Sequence, residues 1–107
     1  MAWVLLVLAI AAEVFGTLSL KASDGFSRLW PSLGVVAGYA VAFTLLAFVL
    51  KMMGVGPAYA IWAALGTAGA AIGGWVLFGE RLTWITISGI VIVVIGVVVI
   101  TLGEART

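Results

Sequence analysis

The chain alternates four long apolar runs with short polar connections. The first run extends from Ala2 to Leu20, nineteen residues in which Glu13 is the only charge. A polar stretch follows, Lys21-Ala22-Ser23-Asp24-Gly25-Phe26-Ser27-Arg28-Leu29-Trp30-Pro31. The second run covers 32–50 without a charge and ends at Lys51, with Met52-Met53-Gly54-Val55-Gly56-Pro57 as the turn. No charge occurs between Lys51 and Glu80, which places a third span at 57–78. Gly79-Glu80-Arg81 forms the next turn, the fourth run covers 83–102, and Glu104 and Arg106 lie in a short polar tail. At 1.5 Å rise per residue, nineteen helical residues cover about the ~30 Å hydrocarbon core of a bilayer. The runs are continuously apolar rather than alternating, which excludes the strands of a membrane β-barrel. The pattern predicts four transmembrane helices over 2–20, 32–50, 57–78 and 83–102.

Composition supports the same reading. Of 107 residues, 65% are hydrophobic and 8% charged, against about 25% charged in an ordinary globular domain. So few charges cannot cover a water-facing surface, so the surface must meet lipid. The expectation is an all-α integral membrane protein, one four-helix domain connected by short loops in up-down order. The N-terminal run lacks a basic leader segment and carries Glu13, so it reads as a mature span rather than a cleaved signal. The absence of cysteine and histidine excludes disulfides, thiolate or imidazole metal sites and histidine acid–base chemistry. No second acid lies within the spans, and no cofactor or enzyme activity is expected. A net charge of +1 with scattered Lys and Arg offers nothing to nucleic acid. Lys51 and Arg106 fall on one membrane side and Lys21, Arg28 and Arg81 on the other. This near balance sets no strong orientation. It leaves open both a single topology and insertion in both directions, which would permit an antiparallel dimer.

Glu13 is the residue that needs explaining. A charge at the centre of a spanning helix costs ~2.5–3.5 kcal/mol on insertion scales, and such residues mark ion or substrate pathways. Ala9, Gly16 and Thr17 stack on its face at helical spacing, with Leu6 and Leu20 further along. Small side chains there leave room for a ligand or for a closely packed helix. Tyr39 in the second span and Trp62 in the third lie roughly 8–10 Å inside by helical rise, deeper than interfacial anchors. Tyr59 shares a face with Trp62 but lies near enough to its span's start to be such an anchor. Trp3, Trp30, Trp75 and Trp84 lie near span ends. A carboxylate with aromatic rings and no internal cation suits an organic cation, held by charge and by cation–π contact.

The third span carries Gly66, Gly69, Gly73 and Gly74, which permit close approach and bending. The fourth is a β-branched run with Gly89 and Gly96 seven apart on one stripe. That stripe reads either as a dimer contact or as packing within the bundle. Four helices are few to enclose a pathway, and one copy supplies only one acid. Oligomerisation follows as an expectation.

Ala12-Glu13-Val14-Phe15-Gly16-Thr17, the 21–32 connection and Ala58-Tyr59-Ala60-Ile61-Trp62 together resemble the small multidrug resistance transporters. The resemblance spans the chain in length, layout and motif order. It implies proton-coupled antiport across the bacterial inner membrane by an antiparallel homodimer of dual-topology subunits, exporting organic cations. Glu13 matches the shared proton and substrate site, and Tyr59 and Trp62 match site aromatics. Gly89 and Gly96 match a fourth-helix dimer motif. The expected binding set is Glu13 with Ala9, Gly16, Thr17, Tyr39, Phe43, Tyr59 and Trp62, and Gly66 is the expected bending point. Gly16-Thr17 and Tyr39 resemble the multidrug, quaternary-ammonium subtype. Ala42 replaces a usual serine, Ala64 replaces a usual glycine, and the 69–73 stretch resembles the guanidinium branch. A guanidinium exporter, or a non-transporting membrane assembly subunit, remains the alternative.

Overall fold

The computed structural model describes residues 2–105 and is entirely helical outside its turns, with α1 at Ala2–Ala22, α2 at Leu29–Val49, α3 at Val55–Phe78 and α4 at Trp84–Ala105. Each helix is long and apolar enough to cross a membrane, α4 over Trp84–Gly103. Arg106, one term in the charge balance, lies outside the described residues. Glu104 belongs to the last turn of α4 rather than to a polar tail.

Both prolines stand at the third helical position, because α2 starts at Leu29 and α3 at Val55. The first N–H groups of a helix have no partner within it, so a proline costs nothing anywhere in that turn. The ladder of α2 begins when the Ser32 N–H donates to the Arg28 carbonyl at 3.2 Å, and the Ser32 hydroxyl donates to the same oxygen at 2.6 Å. In α3 the first such bond runs from the Ala58 N–H to the Gly54 carbonyl at 3.2 Å.

The chain divides into two compact units, Met1–Met52 and Met53–Thr107. In the first, α1 and α2 form a closely packed antiparallel hairpin. The contact is made by glycine. A Cβ built on Gly38 would stand 2.9 Å from both the Ala12 carbonyl oxygen and the Cα of Gly16. Two turns of backbone therefore touch without side chains between them, the arrangement that small residues allow between membrane helices. One turn back along α2, a Cβ on Gly34 would meet the Ser19 hydroxyl at 2.8 Å. One turn on, Ala42 is fully buried, as is Ala9 on α1.

Ser23 closes this hairpin from within the connection. It is fully buried. Its hydroxyl donates to the Leu20 carbonyl at 2.6 Å and accepts the Phe26 N–H at 3.1 Å. Its carbonyl accepts the Arg28 N–H at 3.1 Å. Between these ties Asp24, Gly25 and Phe26 all have left-handed backbones, with φ of 49°, 69° and 66°. Glycine takes that conformation freely, whereas phenylalanine pays ~1–2 kcal/mol for it.

In the second unit α3 pairs with α4, less extensively than α1 with α2. Helix α3 ends at Gly79, whose φ of 68° is the left-handed cap that glycine favours. The Glu80 N–H donates to the Gly74 carbonyl at 3.2 Å, and the Glu80 carboxylate folds over Gly74, where a Cβ would otherwise lie. Thr83 caps α4, its hydroxyl accepting the Thr86 N–H at 3.2 Å. None of the described residues of the Trp84–Gly103 span is buried.

Candidate functional site

Glu13 stands near the middle of α1, half-buried. Four residues on, Thr17 lies on the same face, and its hydroxyl donates to Glu13 Oε1 at 3.1 Å. The same Thr17 oxygen lies 2.7 Å from the hydroxyl of Tyr39 on α2. A carboxylate, a hydroxyl and a phenol thus form one chain across the hairpin. The second distance lies at the usual value for an O–H···O bond and the first is long, so Thr17 is tied more tightly to Tyr39 than to Glu13.

The backbone crossing explains how Tyr39 arrives there. Gly38 brings α2 against α1 beside Gly16, and the next residue, Tyr39, then lies across Gly16, with ring carbons 3.5 Å from where a Gly16 Cβ would stand. Phe43, one turn further along α2, faces the Tyr39 ring at a centroid distance of 6.1 Å and a tilt of 30°. Offset, tilted rings at this separation attract weakly. Phe43 is itself exposed.

Six of the expected site residues therefore belong to the first hairpin. Glu13, Thr17 and Tyr39 are joined by hydrogen bonds, Gly16 supports the Tyr39 ring, Phe43 flanks that ring, and Ala9 is buried one turn before the acid. The small face around Glu13 is used at Gly16 by the ring of Tyr39. Tyr59, Trp62 and Gly66 lie on α3 in the second unit, where Tyr59 is exposed and Trp62 half-buried. Helix α3 continues unbroken through Gly66. Gly89 and Gly96 on α4 face open space, with nothing within 4 Å of an added Cβ at either.

Three contributors lie outside the expected set. Gly38 sets the crossing that delivers Tyr39, and Gly34 extends it. The signal was present as Gly34-Val35-Val36-Ala37-Gly38, a small-xxx-small motif that Ala42 continues. Ser23 belongs to what the sequence presents simply as a polar connection. A single serine in a loop carries no sequence signal of its burial.

Four membrane-spanning helices with one intramembrane acid tied across a helix pair define a multi-pass membrane protein. The chain belongs to the Small Multidrug Resistance protein family, whose sequence profile matches residues 1–95. It is 46% identical over 101 residues to the multidrug resistance protein EbrB of Bacillus subtilis (strain 168), covering 94% of this chain and 86% of that protein. It is 44% identical over 100 residues to the quaternary ammonium compound-resistance protein QacE of Escherichia coli, covering 94% of this chain and 91% of that protein. Over 98 residues it is 41% identical to the guanidinium exporter of Escherichia coli (strain K12), covering 92% of this chain and 93% of that protein. These relatives are named for export and resistance rather than for catalysis. Family and spans together place the chain in the bacterial inner membrane.

Proposed function

We propose that the protein is a proton-coupled antiporter that exports lipophilic, aromatic or quaternary ammonium cations. The observation that carries this reading is the half-buried Glu13, bonded by Thr17, which Tyr39 bonds in turn, in an otherwise uncharged part of the spans. A carboxylate in that setting binds either a proton or an organic cation, and occupation by one excludes the other. Exchange of the two across the membrane then follows if the site opens to each side in turn. Within the hairpin that holds Glu13, Tyr39 and Phe43 are the rings available to an aromatic cation, and Tyr59 and Trp62 on α3 join the proposal by the family resemblance alone.

The working unit in this proposal is an antiparallel homodimer with a Glu13 from each copy. The Trp84–Gly103 span, in which no described residue is buried, supports it, as do Gly89 and Gly96, which leave room for a second helix to approach. The multidrug reading is supported by the resemblance to EbrB and QacE and by Gly16-Thr17 and Tyr39 in the site. Reconstituted protein under an imposed proton gradient tests it. Benzyltrimethylammonium should move against the gradient while guanidinium does not. Guanidinium flux alone would assign the other branch, and no flux of any cation would leave a non-transporting subunit.

A further inference from the structure

The hydroxyl of Thr17 has a single proton and two neighbours, and the charge on Glu13 decides where that proton points. An ionised carboxylate can only accept. Thr17 then donates to Glu13 Oε1 across 3.1 Å, and its oxygen accepts from the Tyr39 hydroxyl across 2.7 Å. A protonated Glu13 gains a donor. It donates to the Thr17 oxygen, the Thr17 proton turns to the Tyr39 oxygen, and the Tyr39 proton turns away from the chain. The bond between Thr17 and Tyr39 is compatible with either direction.

We propose that Tyr39 is a positioning residue whose hydroxyl, acting through Thr17, stabilises the ionised form of Glu13, and that the whole chain reverses polarity when Glu13 takes up a proton. This rests on Glu13 being the shared proton and cation site. One proton is bound at the carboxylate and two hydroxyls rotate, with no other bond made or broken. In the ionised arrangement the bond from Thr17 to the carboxylate is charge-assisted, and it polarises the neutral bond from Tyr39 behind it. Glu13 and Tyr39 are the titratable groups that α1 and α2 bring to this chain. Lys21 follows Thr17 by one turn on α1 but lies exposed at the helix end. Ring and hydroxyl of Tyr39 thus have separable tasks: the ring covers Gly16 while the hydroxyl orients Thr17.

The test is benzyltrimethylammonium binding to the full-length purified protein by calorimetry across a pH series. Loss of a donor to the carboxylate favours the protonated form, so competition by protons persists to higher pH. Thr17→Val should raise the pH midpoint of binding by about one unit. Tyr39→Phe should raise it by about half a unit. The double variant should move no further than Thr17→Val alone, because Tyr39 acts through Thr17. Thr17→Ser, which keeps the hydroxyl, should restore the wild-type midpoint. Additive shifts in the double variant, unmoved midpoints in both single variants, or a Thr17→Ser profile like that of Thr17→Val would each overturn the inference. Wild-type binding that does not depend on pH would instead remove the underlying reading of Glu13.

Discussion

Gly38 and Gly16 touch unequally: a Cβ on Gly38 would enter the backbone of α1, 2.9 Å from the Gly16 Cα, whereas a Cβ on Gly16 would meet the Tyr39 ring at an ordinary 3.5 Å. Backbone cannot step aside as a side chain can. Gly38→Ala is therefore expected to destabilise the hairpin by ~1–3 kcal/mol, the usual range for overpacking. Gly16→Ala, which makes only ordinary contact, should be neutral or stabilise by up to ~1 kcal/mol through helix propensity. Denaturant titration of the two variants in detergent checks the difference. Equal losses would mean that the crossing is not set by Gly38.

Glu13→Gln keeps size and polarity but removes the charge and the exchangeable proton. On the proposed mechanism it abolishes proton-coupled cation export, while the protein still inserts and assembles. The measurement is proton release on cation addition to protein in weakly buffered detergent. Release that persists in the variant would assign the proton to another group.

The wild-type site should bind cations more weakly as pH falls, since a protonated Glu13 offers no charge to pair with. Below the midpoint, apparent affinity should fall about tenfold per pH unit for each proton displaced. Binding isotherms of benzyltrimethylammonium at several pH values give this slope directly.

In the proposed site, aromatic rings add a second term to recognition. Tyr39→Ala or Trp62→Ala should weaken benzyltrimethylammonium by roughly threefold to thirtyfold, the span of cation–π energies from exposed to desolvated sites. Tetramethylammonium, with no ring to stack, should lose less. Equal losses for both cations would leave cation–π contact, which tetramethylammonium also makes, and would argue against stacking on the cation's ring.

The left-handed Phe26 offers a test outside the site. Phe26→Gly removes the steric cost of φ 66° and is expected to stabilise the α1–α2 connection by up to ~1 kcal/mol, partly offset by the freer unfolded chain. Ser23→Ala acts in the opposite sense. It deprives the Phe26 N–H of its acceptor and should cost ~1–3 kcal/mol. Melting temperatures of the two variants should move in opposite directions.

Much of this architecture was legible in the residues because the bilayer imposes a coarse requirement, and three uncharged runs of spanning length with a fourth that carries a single acid meet it as four helices. Glu13 was equally visible, since one charge in an apolar helix has no other explanation as simple. Thr17 could be placed on the Glu13 face from helical spacing alone. Its link to Tyr39 could not, because it depends on the register between two helices, and that register is fixed by backbone contact at Gly38. Glycine leaves no side chain whose periodicity could reveal which face it serves. The starts of α2 and α3 differed from expectation for a related reason: Pro31 and Pro57 are compatible with any position in the first turn, so each marked a helix start only to within that turn. Ala42, conspicuous as a departure from the family's usual serine, is fully buried one turn beyond Gly38.

The hydrogen-bonded chain from Glu13 to Tyr39 lies wholly within the first 52 residues. A ribosome therefore delivers the acid and both hydroxyls before it has made the rest of the protein. The nascent hairpin can shelter its carboxylate as soon as α2 enters the lipid, without waiting for α3 and α4. The most costly residue of the chain to insert is thereby provided for by its earliest-made neighbours.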